Sequence, residues 1–178
     1  MAGSTAFACI QDAILKPRDA VAVSGAAGGV GSFAVQLARE SGAAVFGIAG
    51  PSSHEWLERH GVRPVVYGEG LLDNLQGFRI DAFIDTHGDL YVELATKLSI
   101  PKDRIVTAAD FSAAHKYGAK SVSSGTITSG KVLADLASFI ASGKLEVPVV
   151  KTLPLDEIHE AFRLLEHGHT HGKIVLIP

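Results

Sequence analysis

The sequence predicts an α/β fold: a doubly wound parallel sheet with helices on both faces, three layers in the order αβα. Three observations predict it. Short apolar runs alternate with stretches of helical periodicity along the whole chain, with no internal repeat. One of these alternations, residues 21–39, is an apolar strand that breaks into glycines and opens directly onto an amphipathic helix. A chain of 178 residues, 47% of them hydrophobic, is long and apolar enough to bury one core of the size such a sheet needs, so a single domain is expected.

The elements follow in order. A helix over 4–15 is stopped by Lys16-Pro17-Arg18-Asp19, and the apolar run 20–24 reads as the first strand. Helix 30–41 places Val30, Phe33, Ala34, Leu37 and Ala38 on one side and stops at Ser41-Gly42, after which strand 44–49 completes a βαβ unit. Helix 53–60, strand 64–67, a short helix near Leu71, strand 82–85, helix 90–98 and strand 104–108 continue the alternation. In the last third, helix 132–142 ends at Gly143 and an apolar run covers 147–153. Helix 155–167 begins on Pro154 with Asp156 and Glu157 at the positive end of its dipole, and a strand covers 173–177.

Between the first strand and its helix stands Gly25-Ala26-Ala27-Gly28-Gly29-Val30-Gly31. Small residues at Ala26, Gly28 and Gly31 allow a tight turn, close approach of bare backbone to a ligand, and close packing of the helix on the sheet. The start of the helix leaves amides without internal partners, and these attract anions. Ala27, Gly28, Gly29 and Val30 are therefore candidates to hold the pyrophosphate of a dinucleotide in a Rossmann-type unit. The first small position is Ala26 where the motif has glycine, so the weight comes from the strand, turn and helix context; the alternative is a tight packing turn without a ligand.

The end of the second strand tests the cofactor. An NAD site there has an Asp or Glu for the ribose 2′-hydroxyl, whereas Ala49-Gly50-Pro51-Ser52-Ser53-His54 has none and the first acid, Glu55, lies inside the next helix. Ser52, Ser53 and His54 suit a 2′-phosphate, so NADP is expected over NAD. Thr86, His87 and the turn 107–110, which includes Ala108, stand at strand ends facing the crevice; His87 reads equally as a solvated turn residue. Hydride transfer asks the protein mainly for placement and exclusion of water, so no residue is assigned a proton-transfer role.

Composition narrows the partners. A formal net charge of -3 without a dense Lys/Arg block gives no face for nucleic acid. A single cysteine, Cys9, rules out a disulfide or multi-cysteine zinc site within the chain. No apolar stretch is long enough for a bilayer and the start lacks the pattern of a secretory signal, so no membrane partner and a cytoplasmic location are expected. A phosphate-binding NTPase loop is disfavoured because Gly31 is followed by Ser32-Phe33 and not by Lys-Ser/Thr.

Several ordered motifs together resemble the medium-chain dehydrogenase/reductase superfamily in its quinone-oxidoreductase-like, zinc-independent branch. Ala2-Gly3-Ser4-Thr5-Ala6-Phe7 is similar to that branch's entry into the cofactor domain, 23–31 to its glycine loop, and Ile80-Asp81-Ala82-Phe83-Ile84-Asp85-Thr86-His87-Gly88 to its fourth strand and turn. Leu153-Pro154-Leu155, Ala161-Phe162, Leu164-Leu165-Glu166, Gly168-His169 and Gly172-Lys173-Ile174-Val175-Leu176 resemble its C-terminal pattern. The resemblance covers nearly the whole chain. It implies that Thr5 lies near the nicotinamide, with an ordinary helix cap as the alternative, and that Tyr67 joins the 2′-phosphate pocket, with packing on the sheet edge as the alternative. His54 stands where that pocket has a lysine or arginine.

The same resemblance implies the cofactor portion of an NADPH-dependent oxidoreductase acting on a quinone or an α,β-unsaturated carbonyl (enone), with an N-terminal catalytic domain absent from this chain. Residues 1–178 then form the NADP-binding domain, with 147–178 belonging in part to the absent domain, and strand 173–177 is expected to lack its usual neighbour. Relatives dimerise through a sheet edge, here residues 121–127, which makes a homodimer an expected partner. Two other readings stand beside this one: a non-catalytic NADPH-binding sensor or assembly module, and the cofactor domain of a zinc-dependent alcohol dehydrogenase. The run His167-Gly168-His169-Thr170-His171 suggests metal binding, but it sits in a connector, and no metal ligand is assigned.

Overall fold

The structure, a computed structural model, describes residues 1–122, 129–166 and 171–178. Helix α1 (Ala2–Asp12) leads into β1 (Ala20–Ser24), and α2 (Gly31–Glu40), β2 (Ala44–Ile48), α3 (His54–Arg59) and β3 (Arg63–Val65) follow. After them come α4 (Leu71–Gln76), β4 (Ala82–Asp85), α5 (Tyr91–Lys97), β5 (Ile105–Thr107), α6 (Phe111–Tyr117) and β6 (Lys120–Ser121). These strands form one parallel sheet in the order β3-β2-β1-β4-β5-β6. The chain winds outward from β1 to β3, returns to the centre, and winds the other way from β4, so the loops after β1 and β4 diverge and leave a crevice at the carboxyl ends of the strands.

Alternate residues of each strand feed two separate cores, as a sheet covered on both faces requires. Val21, Val23, Val45, Ile84 and Val106 pack on one face with Cys9 of α1, Phe33 of α2 and Leu57 of α3. Ala22, Phe46, Ile48, Phe83 and Ile105 pack on the other with Leu75 of α4 and Val92 of α5. The three-layer αβα expectation is met.

Helix α6 was not expected from the sequence. Asp110 caps it, its carboxylate accepting from the Ala113 amide at 2.8 Å, and Gly118 ends it in the left-handed region. The predicted edge 121–127 lies mostly outside the described residues.

The remaining elements are α7 (Gly130–Ala141), β7 (Val149–Pro154), α8 (Ile158–Glu166) and β8 (Lys173–Ile177). Strand 173–177 has a neighbour in its own chain, which corrects the expectation that it would lack one: β7 and β8 pair in parallel as a separate two-stranded sheet. The reason is local. Helix α8 is the crossover that a parallel pair needs, and the Lys173 amide donates to the Pro148 carbonyl at 2.8 Å to set the register. Val149, Val150 and Ile177 of this pair remain exposed.

Candidate functional site

The glycine loop turns between β1 and α2 with no room to spare. Gly25 has φ +58°, and a Cβ on Gly31 would overlap the Gly25 carbonyl oxygen and come within 2.7 Å of its carbon and 2.9 Å of Ala26 Cα. The Ala26 amide donates to the Ile48 carbonyl at 3.1 Å, which ties the loop to the end of β2. The amides of Ala27, Gly29 and Val30 find no acceptor among the described residues. They are bare donors at the start of a ten-residue helix, the setting that draws an anion.

Beside the loop an open cleft of about 510 Å³ extends toward β3. Six of the expected site residues line it: Ala27, Gly28, Ser52, Ser53, Tyr67 and His87. No Asp or Glu does. Ser53 is buried, Ser52 is exposed, and the Tyr67 ring lies over Gly50. His54 does not reach the lining; its Nε2 lies 3.4 Å from the Ala49 carbonyl oxygen, so the ring folds back on the end of β2.

Thr5, Gly29, Val30, Thr86 and Ala108 also fall outside the lining. The Thr5 hydroxyl donates to the Met1 carbonyl at 3.2 Å within α1 and caps nothing at its start. Thr86 donates its hydroxyl to the Ser24 carbonyl at 2.7 Å, so its role is in the loop scaffold. Gly29 and Val30 lie in the glycine loop before α2, and Ala108 follows the end of β5.

Three further residues belong to the site. Tyr91, at the start of α5, lines the cleft with the His87 ring edge-on at 5.8 Å. Burial pushes its phenol above the ordinary value, and the charges of Asp85, Asp89 and Tyr67 add to the shift. Leu165 of α8 closes one side. Lys173 of β8 donates its ammonium to the Gly29 carbonyl and sits 5.3 Å from the centre of the Phe33 ring. Burial lowers its affinity for the proton. The Gly172-Lys173 pair stood in the C-terminal pattern, but nothing in the sequence signalled its approach to the glycine loop.

No cluster of three His, Cys, Asp or Glu side chains among the described residues is arranged to hold a metal ion. Of the histidine run, 167–170 lie outside the described residues, and His171 packs edge-on against Trp56 at 4.8 Å. Cys9 is buried, and burial followed by the charges of Asp12 and Asp85 pushes its thiol up to about 12, so it offers no thiolate.

The profile of the family described as zinc-binding dehydrogenase matches residues 69–176, more than half of the chain. The chain belongs to the zinc-binding dehydrogenase family. With that, the resemblance to the medium-chain dehydrogenase/reductase superfamily is established for its cofactor-binding part. Polyketide synthase GfsB of Streptomyces halstedii is 31% identical over 96% of this chain, which spans 3% of that protein. The mitochondrial NAD(P)H oxidoreductase RTN4IP1 of Bos taurus is 27% identical over 88% of the chain, which spans 47% of it. The quinone oxidoreductase structure from Coxiella burnetii superposes on 99% of the chain with a TM-score of 0.85 at 26% identity, and 58% of that structure is covered. This member of the zinc-binding dehydrogenase family thus spans about half the length of such oxidoreductase relatives. The donors for the zinc in the family's description are not assembled among its described residues.

Proposed function

We propose that this chain is the NADPH-binding portion of an oxidoreductase that reduces a quinone or an α,β-unsaturated carbonyl. The observation that carries the cofactor choice is the ribose end of the cleft, where Ser52, Ser53 and Tyr67 stand and, among the described residues, no carboxylate does. A carboxylate there would accept from a 2′-hydroxyl and repel a 2′-phosphate. The bare amides of Ala27, Gly29 and Val30, with the Lys173 ammonium beside Gly29, fit the pyrophosphate.

When bound, the dinucleotide supplies the hydride; the chain's residues orient it and keep water out. Tyr91 and His87 give a partly apolar wall along the cleft, and Leu165 shields it from the side of α8. The quinone class is the one in the name of the quinone oxidoreductase structure, and the α,β-unsaturated carbonyl class is the one the sequence resemblance implies. Part of residues 147–178 is assigned to a further domain that completes the substrate pocket, a reading supported by the exposed apolar residues Val149, Val150, Phe162 and Ile177.

Isothermal titration with NADPH and NADH tests the cofactor. NADPH is expected to bind more tightly, and tighter binding of NADH overturns the choice. Oxidation of NADPH by quinone and enone acceptors, catalysed by a longer natural chain containing this one, tests the reaction. Binding without turnover there would leave the second reading, a non-catalytic NADPH-binding module.

A further inference from the structure

At the carboxyl edge of the sheet three polar residues lie side by side. Ser24 of β1 is in register with Asp85 of β4, and Asp85 with Thr107 of β5. All three are fully buried, at 0% exposure. A carboxylate taken so far from water must be satisfied by donors. Asp85 Oδ1 accepts from Ser24 Oγ at 2.5 Å and from the amides of His87 at 3.0 Å and Gly88 at 2.9 Å. Its Oδ2 accepts from Thr107 Oγ1 at 2.6 Å. The two hydroxyls carry the order outward: Ser24 Oγ accepts from the Thr86 amide at 3.1 Å, and Thr107 Oγ1 accepts from the amides of Ala109 at 3.0 Å and Asp110 at 2.9 Å.

We propose that Asp85, acting through Ser24 and Thr107, is a positioning residue that fixes the two loops beneath the nicotinamide half of the dinucleotide. One carboxylate oxygen holds the loop after β4, and the other holds the loop after β5 through Thr107. The donors at the outer ends of the network are loop amides at the mouth of the crevice. The loop after β4 also bears on the glycine loop, since a Cβ on Gly25 would lie 3.1 Å from Thr86 Oγ1 and 3.3 Å from His87 Cβ. In a doubly wound sheet of this order, β1 to β3 carry the adenosine half of a dinucleotide and β4 to β6 the other half. The network therefore sets the height of the nicotinamide platform relative to the pyrophosphate cradle. Asparagine is no substitute for Asp85, because its NH2 would face either the Thr107 hydroxyl, which already accepts two loop amides, or the His87 and Gly88 amides, which are themselves donors.

The inference rests on the dinucleotide reading of the cleft, and the experiment separates the two. The chain, with Thr107→Val and Thr107→Ser, is titrated with whichever of NADPH and NADH binds the wild type more tightly. The same proteins are titrated with the matching adenosine half, adenosine 2′,5′-bisphosphate or AMP. Loss of a buried hydroxyl in T107V is expected to weaken the dinucleotide about tenfold, while T107S stays within about twofold. Affinity for the adenosine half is expected to stay unchanged in both variants, an asymmetry that a general loss of structure would not produce. Equal loss for both ligands, or no loss for either, overturns the positioning role alone. A wild-type chain that binds neither dinucleotide overturns the cofactor reading and the inference with it. If T107V does not fold, amide hydrogen exchange on the ligand-free wild type decides: His87, Gly88, Ala109 and Asp110 are expected to be protected, and exchange at the rate of open loop amides overturns the proposal.

Discussion

At Gly31 one methyl group separates a working loop from a broken one. An alanine side chain there would collide with the Gly25 carbonyl and with the Ala26 backbone, and neither belongs to a flexible side chain that could give way. Gly31→Ala is expected to cost about 3 kcal/mol in denaturant unfolding and to abolish dinucleotide binding; retained binding at wild-type affinity would refute the close-packed account of the loop. His171 predicts a pH effect. Its buried Nε2 has no partner among the described residues, and burial holds the imidazole below its ordinary value of 6.5, opposed by Glu146 and reinforced by Arg59 and His60. Below 6.5 the unfolded chain therefore binds this proton more readily than the folded one, so stability falls as pH drops toward the folded value and then levels off. His171→Phe keeps a ring against Trp56, and its melting temperature should fall less than the wild type's between about pH 7 and about pH 5; an identical slope would count against it. Ser52, Ser53 and the loop residues were legible in the sequence because each sits beside the motif that signals it. Leu165 and Lys173 were not, because packing of distant segments brings Leu165 to the cleft and Lys173 to the glycine loop; Tyr91 was legible only as part of a helix start.

Among the elements, the strands of the main sheet were readable as apolar runs because both faces of the sheet are covered. Every residue from Val21 to Ser24 and from Ala82 to Asp85 is buried. Helix α6 escaped because seven residues are too few to show a period, and the only one fully buried is Ala114. Its signals lay in its ends, Asp110 and Gly118. Removing the cap with Asp110→Ala is expected to cost about 1 kcal/mol, read from chemical denaturation; a change near zero would mean that α6 is held by its packing alone. The partner of β8 was missed for a different reason. The run 147–153 is apolar in the sequence, but which strand an apolar run pairs with is decided by the crossover, and the sequence shows α8 without showing which way it turns.

For the molecule as a whole, the doubly wound parallel sheet and the crevice at its strand ends followed from the alternation of elements, since right-handed crossovers leave few arrangements open. The outer surface of the β7 and β8 pair did not. Helix α8 keeps Ile158, Phe162 and Leu165 exposed beside Val149, Val150 and Ile177, more apolar surface than scattered residues explain. If that surface meets a further domain across the substrate, the 178-residue chain should bind NADPH yet oxidise it at least about a hundredfold more slowly than a longer natural chain. Stopped-flow absorbance with a quinone and an enone would measure this, and comparable rates would mean that the substrate pocket is complete within this chain.

The final strand is fastened to the first loop. The Gly172 amide donates to the Ala27 carbonyl at 3.0 Å, and Lys173 reaches Gly29. A ligand seated on that loop and anything seated on the strand pair therefore act on one shared set of contacts. Thermodynamic reciprocity then applies: whatever factor an occupant of β7 and β8 adds to affinity in the cleft, a ligand in the cleft returns to that occupant. Filling the crevice and docking on the far sheet become two readings of a single coupling free energy.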